Sequence, residues 1–191
     1  MEEQRALVTL KAMLTKRGLK AENFEVIGQA LDETKMYSFD GILIVFSMKS
    51  RVSEKDLQAY IEYSKENRYG AGVIIITYAR PSEATLASLR LYISDRQNPL
   101  VQIFEIRHLQ FDISNHRKVP AHRIMADDEK AEMMKEYHVK DPIALPKIDS
   151  QDAMARWIGA RPGDVIEVRG MCETSVENTR YRYCLADVIN G

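Results

Sequence analysis

The sequence predicts an α/β unit, in which helices cover an open β-sheet, followed by a small α+β unit. Two observations favour this order. In residues 1–112, three continuous apolar runs of strand length alternate with segments of helical periodicity. In residues 113–191, prolines and turn residues separate shorter and more polar elements. Because the apolar runs lack polar alternation, we expect both faces of the first sheet to be buried.

The N-terminal unit is predicted to begin with a helix. Apolar residues recur at helical spacing at Leu7, Leu10, Met13 and Leu14. Gly18 follows where a glycine commonly ends a helix. Three strands are then expected at residues 41–46 (GILIVF), 72–78 (GVIIITY) and 100–106 (LVQIFEI).

Two further helices are expected between these strands. Ser53 is suited to cap the first of them, ahead of the apolar position Leu57. The tripeptide Arg80-Pro81-Ser82 is expected to open the second, with the proline in its first turn. This order of elements is typical of a sheet with helical crossovers.

The C-terminal unit is predicted to contain two short helices. Asp127 is placed to cap an acidic helix that reaches Tyr137. A second helix contains Met154, Trp157 and Ile158. Its closing residue is Gly159, and residues 161–164 (RPGD) have the composition of a type II turn. Trp157 is expected in the core because it shares a helical surface with other apolar residues.

Extended segments complete this unit. Val119 precedes a proline and is expected to be extended. The alternating strand 165–169 (VIEVR) is expected to pair with 180–185 (RYRYCL), and the polar segment 172–179 would connect them. Together with the two helices, these strands predict a compact α+β unit.

The composition and net charge of the chain restrict the kinds of function that it could have. The chain has 191 residues, 45% hydrophobic and 29% charged, with a net charge of −1. Any contact with nucleic acid or anionic lipid must therefore come from a local patch. No segment approaches the ~20 apolar residues of a membrane span, and no secretion signal is expected at the N-terminus. Cys172 is expected in a polar loop and Cys184 in the core as a structural thiol, which fits a reducing, intracellular compartment.

The histidines raise the question of a metal site. His116 and His122 are separated by a proline-containing segment, which would place them ~20 Å apart if extended. His138 could approach them only if the acidic helix folds back. Neither cysteine shows the short spacing of a zinc site. We therefore expect surface or partner-facing histidines, no metal and no cofactor.

Catalytic motifs are missing from the sequence. It contains no phosphate-binding P-loop, no nucleophile elbow and no zinc protease motif. The enzyme hypothesis with most support is a metal-dependent nuclease or DNA repair enzyme with Asp40 as a metal ligand. Its neighbouring strand, GVIIITY, offers neither the second carboxylate nor the lysine that such chemistry needs. A free interaction adaptor is a further alternative.

Several motifs resemble one known family. VPAHRIM, LPKI, DAMARWIGARPGDVIEV and TRYRYCL follow in order the C-terminal domain of the fifth subunit of eukaryotic RNA polymerases and of its archaeal counterpart. The segments RALVTLKAMLTKRG, ILIVFS and VIIITYARPSEA extend the resemblance to the eukaryotic N-terminal domain. Where the family usually has Thr-Pro-Ser-Ala, this chain has Arg80-Pro81-Ser82-Glu83.

The resemblance implies a non-catalytic subunit of a DNA-directed RNA polymerase. Residues 1–112 would be a jaw domain, nuclease-like in fold without nuclease activity, beside downstream double-stranded DNA. Residues 113–191 would be the assembly domain that docks on the largest subunit. The implied location is the nucleus, or the cytoplasm or virion if the source is a large DNA virus. No membrane or small-molecule partner is implied.

The resemblance also suggests which residues make these contacts. Arg80, Pro81 and Ser82 would contact DNA. The residues that would bind the largest subunit are Pro120, His122, Arg156 and Arg182. A simpler alternative for Arg80 is an exposed ion pair with Glu83.

Overall fold

The chain divides into two compact units, Met1–Asp112 and Ile113–Gly191. The computed structural model describes residues 1–20, 22–28, 31, 33–172 and 175–187. At residues 171–172 and 175–177 it describes the backbone only. None of the helices in these ranges combines the length and the hydropathy that a membrane span requires.

The N-terminal unit is built on a five-stranded mixed sheet with the strand order β1-β2-β3-β4-β5. The strands are β1 Glu25–Ile27, β2 Thr34–Phe39, β3 Ile42–Ser47, β4 Gly72–Thr77 and β5 Val101–Glu105. The pairs β1–β2 and β2–β3 are antiparallel, and the pairs β3–β4 and β4–β5 are parallel. The three predicted apolar strands are therefore confirmed, whereas β1 and β2 were not predicted.

Three helices accompany this sheet: α1 Glu2–Lys16, α2 Glu54–Glu66 and α3 Glu83–Ser94. Ser53 caps α2 as predicted, because its Oγ accepts a hydrogen bond from the backbone N–H of Asp56. Asp56 in turn accepts from the backbone N–H of Ser53 at 2.9 Å. Such reciprocal capping satisfies two backbone donors that the first helical turn leaves without intrahelical partners.

The start of α3 differs from the prediction. Ser82 is the N-cap, and its Oγ accepts from the backbone N–H of Thr85 at 3.1 Å. Pro81 therefore precedes the cap and is not in the first helical turn. A serine oxygen can reach a backbone donor two or three residues on, which makes Ser82 the better cap.

Both faces of the central strands are buried, as expected. All six residues of β3 and of β4 are buried. Alternate residues, including Leu43, Val45 and Ile75, pack with Leu57 of α2 and Leu89 of α3. Each such side chain contributes about 1.5–3 kcal/mol by leaving water. This apolar core holds the ends of β3 and β4, and the helices that follow them, in fixed positions.

The C-terminal unit contains a four-stranded sheet with the order β6-β8-β9-β7. Its strands are β6 Ala121–Ile124, β7 Lys147–Asp149, β8 Val165–Cys172 and β9 Ser175–Leu185. The predicted pairing of β8 with β9 is confirmed and is antiparallel. However, most of the polar segment expected to connect them belongs to β9, and Cys172 ends β8 rather than lying in a loop. The strands β6 and β7 were not predicted.

Two helices complete this unit: α4 Asp127–Glu136 and α5 Ala153–Ile158. The prediction that Asp127 caps α4 was wrong, because Asp127 is the first helical residue and Ala126 is the N-cap. The backbone N–H of Ala126 donates to Glu129 at 3.0 Å, so a residue one turn along does the capping. A carboxylate in the third helical position can reach back to the cap in this way.

The α5 segment follows the prediction closely. Asp152 caps the helix by accepting from the backbone N–H of Met154, and Gly159 ends it with a φ of 77°. In the predicted type II turn, Asp164 N–H donates to Arg161 O at 3.0 Å and Gly163 has a φ of 92°. Trp157 is buried, as expected.

Candidate macromolecular interfaces

The carboxyl ends of β3 and β4 form one edge of the N-terminal sheet. Because the two strands are adjacent and parallel, the segments that follow them begin at this same edge. Arg51 lies between β3 and α2, and Arg80 lies between β4 and α3. Both arginines are exposed. We call this feature the carboxyl edge.

Arg80 carries an ion pair at this edge. Its Nη2 donates to Glu83 Oε1 at 3.0 Å, and both side chains are 70% exposed. Such an exposed pair contributes ~0–1 kcal/mol. Arg80 can therefore exchange Glu83 for another anion at little cost. Pro81 and Ser82 are half-buried, and Ser82 Oγ already holds the helix start.

Asp40 is not placed as a nuclease acid. It lies with Gly41 in the two-residue turn between β2 and β3, where the flanking residues Phe39 and Ile42 pair. Both turn residues have positive φ, 48° and 78°, which is the geometry of a type I′ hairpin. Asp40 Oδ2 accepts from the backbone N–H of Lys20 at 2.8 Å. Its carboxylate therefore has a structural role in the turn.

The histidines have separate local environments. His116 Nδ1 accepts from the backbone N–H of Lys118, and His122 Nδ1 lies 2.8 Å from Pro120 O. His138 follows α4 with a φ of 53°. In the described ranges, no group of three histidine, cysteine or carboxylate side chains is arranged to hold a metal ion.

The C-terminal sheet places two of the residues predicted to bind a partner on the same face. His122 pairs with Val168, and Ile166 pairs with Arg182. Residues directly opposite one another in antiparallel strands point to the same side of a sheet. His122 and Arg182 therefore share the face on which Val168 and Ile166 pack against α5. Arg182 Nη1 also donates to Lys147 O at 3.0 Å.

The other two predicted residues lie beside this face. Arg156 belongs to α5, next to the buried Ala155. Pro120 immediately precedes β6, and a Cβ at Gly170 would lie 3.1 Å from the Pro120 ring. The family resemblance implies a partner contact for these four residues, and that contact stays a prediction.

The opposite face of this sheet holds a charge network that the sequence did not reveal. Glu167 is buried, yet its Oε2 accepts from Arg123 Nη2 at 2.9 Å and its Oε1 from Arg169 Nη2 at 3.0 Å. Arg123 also donates to Glu129 of α4 at 2.6 Å. Burial acts to raise the pKa of Glu167, but hydrogen bonds from Arg169 and Arg123 outweigh it and lower that pKa.

An open groove of about 450 Å³ lies on the α4 side of β9. Its apolar walls include Met133, Tyr137 and Leu145, and Tyr181 of β9 faces Tyr137 with ring centroids 5.5 Å apart. Tyr137 is 54% exposed, although it is a large aromatic residue. We call this feature the β9 groove, and no prediction from the sequence included it. Its only local signal was the aromatic content of RYRYCL.

These features describe a two-unit chain whose candidate sites are open surfaces in the residues that the structure describes. The comparisons with known proteins make this specific. The family model of the RNA polymerase Rpb5 C-terminal domain matches residues 111–184. The chain belongs to this family, and the resemblance predicted from its motifs is confirmed.

Individual relatives match different lengths of the chain. Over 146 residues the chain is 26% identical to the DNA-directed RNA polymerases I, II, and III subunit rpabc1 of Dictyostelium discoideum, covering 76% of this chain and 73% of the relative. It is 37% identical over 78 residues to subunit Rpo5 of Thermococcus onnurineus, covering 41% of this chain and 94% of the relative. It is 40% identical over 76 residues to Rpo5 of Sulfolobus acidocaldarius, covering 40% and 89% respectively.

Proposed function

We propose that this chain is a non-catalytic subunit of a DNA-directed RNA polymerase, which docks on the largest subunit and helps to hold downstream DNA. Membership of the Rpb5 family is the observation that carries the proposal. Relatives from eukaryotes and archaea are named as subunits of this enzyme. Other polymerase subunits are therefore its partners, and a eukaryotic enzyme of this kind would place it in the nucleus.

Docking is assigned to the C-terminal unit. The family model matches residues 111–184, almost all of them in this unit, and archaeal subunits match a stretch of similar length over most of their own length, which supports this unit as the part that joins the polymerase. The unit has its own sheet and its own buried core around Ile166, Ala155 and Cys184. We place the contact with the largest subunit on the face that carries His122, Arg156 and Arg182, beside Pro120.

DNA contact is assigned to the carboxyl edge of the N-terminal unit. The fold of this unit would be the nuclease-like jaw that the family resemblance implies. Arg80 and Arg51 supply positive charge at this edge, and the exposed pair with Glu83 leaves Arg80 available to phosphate. Since the net charge of the chain is −1, the contact requires the rest of the polymerase channel.

Docking is tested by co-expressing the tagged chain with the largest polymerase subunit of its source. We expect the pair to co-purify through a salt wash. A pure chain that elutes alone while the largest subunit assembles without it would contradict the proposal.

DNA contact is tested with two substitutions that act in opposite directions. In assembled polymerase, Arg80→Ala should weaken retention of downstream duplex on all sequences and reduce the slope of log affinity against log salt by about one unit. Glu83→Gln should strengthen retention, because it releases Arg80 from its ion pair. If neither change alters affinity or salt dependence, Arg80 is only a partner of Glu83 and the DNA contact is wrong.

A further inference from the structure

The two loops that carry Arg51 and Arg80 at the carboxyl edge are joined by one buried side chain. Thr85 lies in the first turn of α3 and is fully buried. Its Oγ1 donates a hydrogen bond at 3.2 Å to the backbone oxygen of Val52, the residue that follows Arg51. The same Oγ1 lies 2.8 Å from the Oγ of Ser82, two residues after Arg80. Thr85 therefore contacts both loops at once.

The hydrogen bonds among these three residues have one consistent direction. A threonine hydroxyl has a single proton, and Thr85 uses that proton to donate to Val52 O. Ser82 Oγ must then donate to Thr85 Oγ1, while it accepts from the backbone N–H of Thr85 at 3.1 Å. Because Val52 is fully buried, removal of the Thr85 hydroxyl would take a partner from a carbonyl oxygen that water does not reach.

The Arg51 loop is also held on the other side of the arginine. Lys49 forms an ion pair with Asp56 of α2, and Asp56 accepts from the backbone N–H of Ser53 at 2.9 Å. The side chain of Val52 is buried in the core. Arg51 therefore projects from a short segment whose neighbours are fixed on both sides, while its own side chain is exposed.

Similar restraints act on the Arg80 loop. Tyr78 OH donates to Glu3 of α1 at 2.9 Å, and Ser82 caps α3. Arg80 lies between these two anchored residues and carries the exposed ion pair with Glu83. A group that is ordered before binding loses less conformational freedom when its ligand arrives, so a fixed backbone favours phosphate contact at this position.

We propose that Thr85 is a positioning residue for nucleic acid: its hydroxyl holds the two loops at a fixed separation, so that Arg51 and Arg80 bind phosphates of downstream DNA as one unit. This inference rests on the proposed DNA contact of the carboxyl edge, and it adds Arg51 as a second contact and Thr85 as the link. Once one arginine has bound, the other is already at a high effective concentration near the same duplex. Thr85 is buried and acts only through the arginines.

Binding of downstream duplex by assembled polymerase tests the link. Thr85→Val keeps the shape of the side chain, removes the hydroxyl and should weaken binding roughly fivefold. Thr85→Ser retains the hydroxyl and should bind like wild type. Thr9→Val makes the same change at a buried position of α1 and should leave binding unchanged. Equal binding by wild type and Thr85→Val would overturn the proposal.

A double-mutant cycle separates positioning from a general loss of structure. Arg51→Ala should weaken binding and reduce the slope of log affinity against log salt by about one unit. In the Arg51→Ala background, Thr85→Val should cause no further loss, because no second arginine is left to position. An equal loss in both backgrounds would show that Thr85 acts on the fold of the unit and not through Arg51, which would overturn the proposal.

Backbone order in the free chain gives a readout that does not require DNA. Order parameters of the Arg51 and Arg80 amides, from NMR relaxation, should be about 0.85 in wild type and in Thr85→Ser, and should fall toward about 0.6 in Thr85→Val. Hydrogen exchange of the β3 and β4 amides should be the same in all three proteins if the sheet is intact. Unchanged order parameters in Thr85→Val would overturn the proposal.

A second pair of variants covers the case in which Thr85→Val does not fold. Thr85→Cys and Thr85→Ser differ by one atom, and a thiol is only a weak hydrogen-bond donor. Thr85→Cys should therefore bind downstream duplex more weakly than Thr85→Ser. Equal binding by these two variants would overturn the proposal.

Failure of the proposed DNA contact has a different signature. If Arg51→Ala and Arg80→Ala both leave binding unchanged, the carboxyl edge does not contact DNA, and this inference fails with the proposed function. If Arg80→Ala weakens binding but the loss of the Thr85 hydroxyl does not, the DNA contact stands and the positioning role of Thr85 is wrong.

Discussion

Glu167 is a buried carboxylate whose removal should be costly for the C-terminal unit. Glu167→Gln keeps the size of the side chain and deletes the charge that receives Arg123 and Arg169. We expect the variant to fold and to unfold at lower urea concentration. The loss should be confined to the unit that contains the network.

The expected loss is about 2 kcal/mol. Three N–H···O contacts reach Glu167, two from Arg123 and one from Arg169, and a hydrogen bond to a charged group contributes about 1.5–3 kcal/mol. The side chains of Arg123 and Arg169 are 47% and 65% exposed, so water can replace part of the hydrogen bonding that they lose in the variant. Glutamine also retains one acceptor oxygen, which keeps the loss below the cost of breaking a fully buried ion pair, about 3–5 kcal/mol.

The difference between wild type and variant should depend on pH. The folded pKa of Glu167 is lowered, so its contribution is complete above the unfolded value of about 4.3 and is lost as the pH falls through the folded pKa. Near neutral pH the difference should therefore be largest. It should shrink toward zero in acid, where the wild-type carboxylate is protonated as well.

Urea unfolding followed by Trp157 fluorescence measures this difference, since the single tryptophan is buried in the C-terminal unit. Glu132→Gln is the matched control, because Glu132 is an exposed carboxylate of α4. The control should change stability by less than ~0.5 kcal/mol. A loss for Glu167→Gln that is equally small, or that persists unchanged at about pH 3, would show that the network does not stabilise the fold.

Two further changes test backbone geometry. His138→Gly should stabilise the C-terminal unit by ~0.5–1 kcal/mol in the same Trp157 assay, because His138 has a φ of 53° at the end of α4; unchanged or lower stability would contradict this. Gly72→Ala should destabilise the N-terminal unit by more than ~3 kcal/mol, because the new Cβ would lie 2.7 Å from the backbone oxygen of Leu100 and the φ is 146°. Faster hydrogen exchange of the β4 amides would report this loss, and unchanged exchange would refute the packing argument.

Local chemistry explains the elements that were predicted from the sequence. The apolar runs that became β3, β4 and β5 are continuous because both faces of these strands are buried. Ser53 and Gly159 mark helix ends through groups within a few residues along the chain. Polymerase family membership also followed from short ordered motifs, and the family model bears it out.

Short polar strands and helix starts were less accessible to sequence analysis. The strands β1 and β6 have three and four residues, too few to show a periodic pattern. At α3 the N-cap is Ser82, whereas at α4 the N-cap is Ala126 and the side chain of Glu129 accepts from its backbone N–H. Sequence patterns place helix ends only to within one or two residues, so they do not settle which residue caps each helix.

The polar residues of the C-terminal sheet take positions that depend on tertiary contacts. Glu167 alternates with apolar neighbours in VIEVR, yet it is buried, and Arg123, 44 residues away in sequence, donates to its carboxylate. The pairing of β7 with β9 likewise joins residues 36 positions apart in sequence. The apolar strands, the helix signals and the family could be read from the sequence, because these follow from neighbours along the chain. Strand pairing and burial of charge follow from contacts between distant segments, which local patterns do not encode.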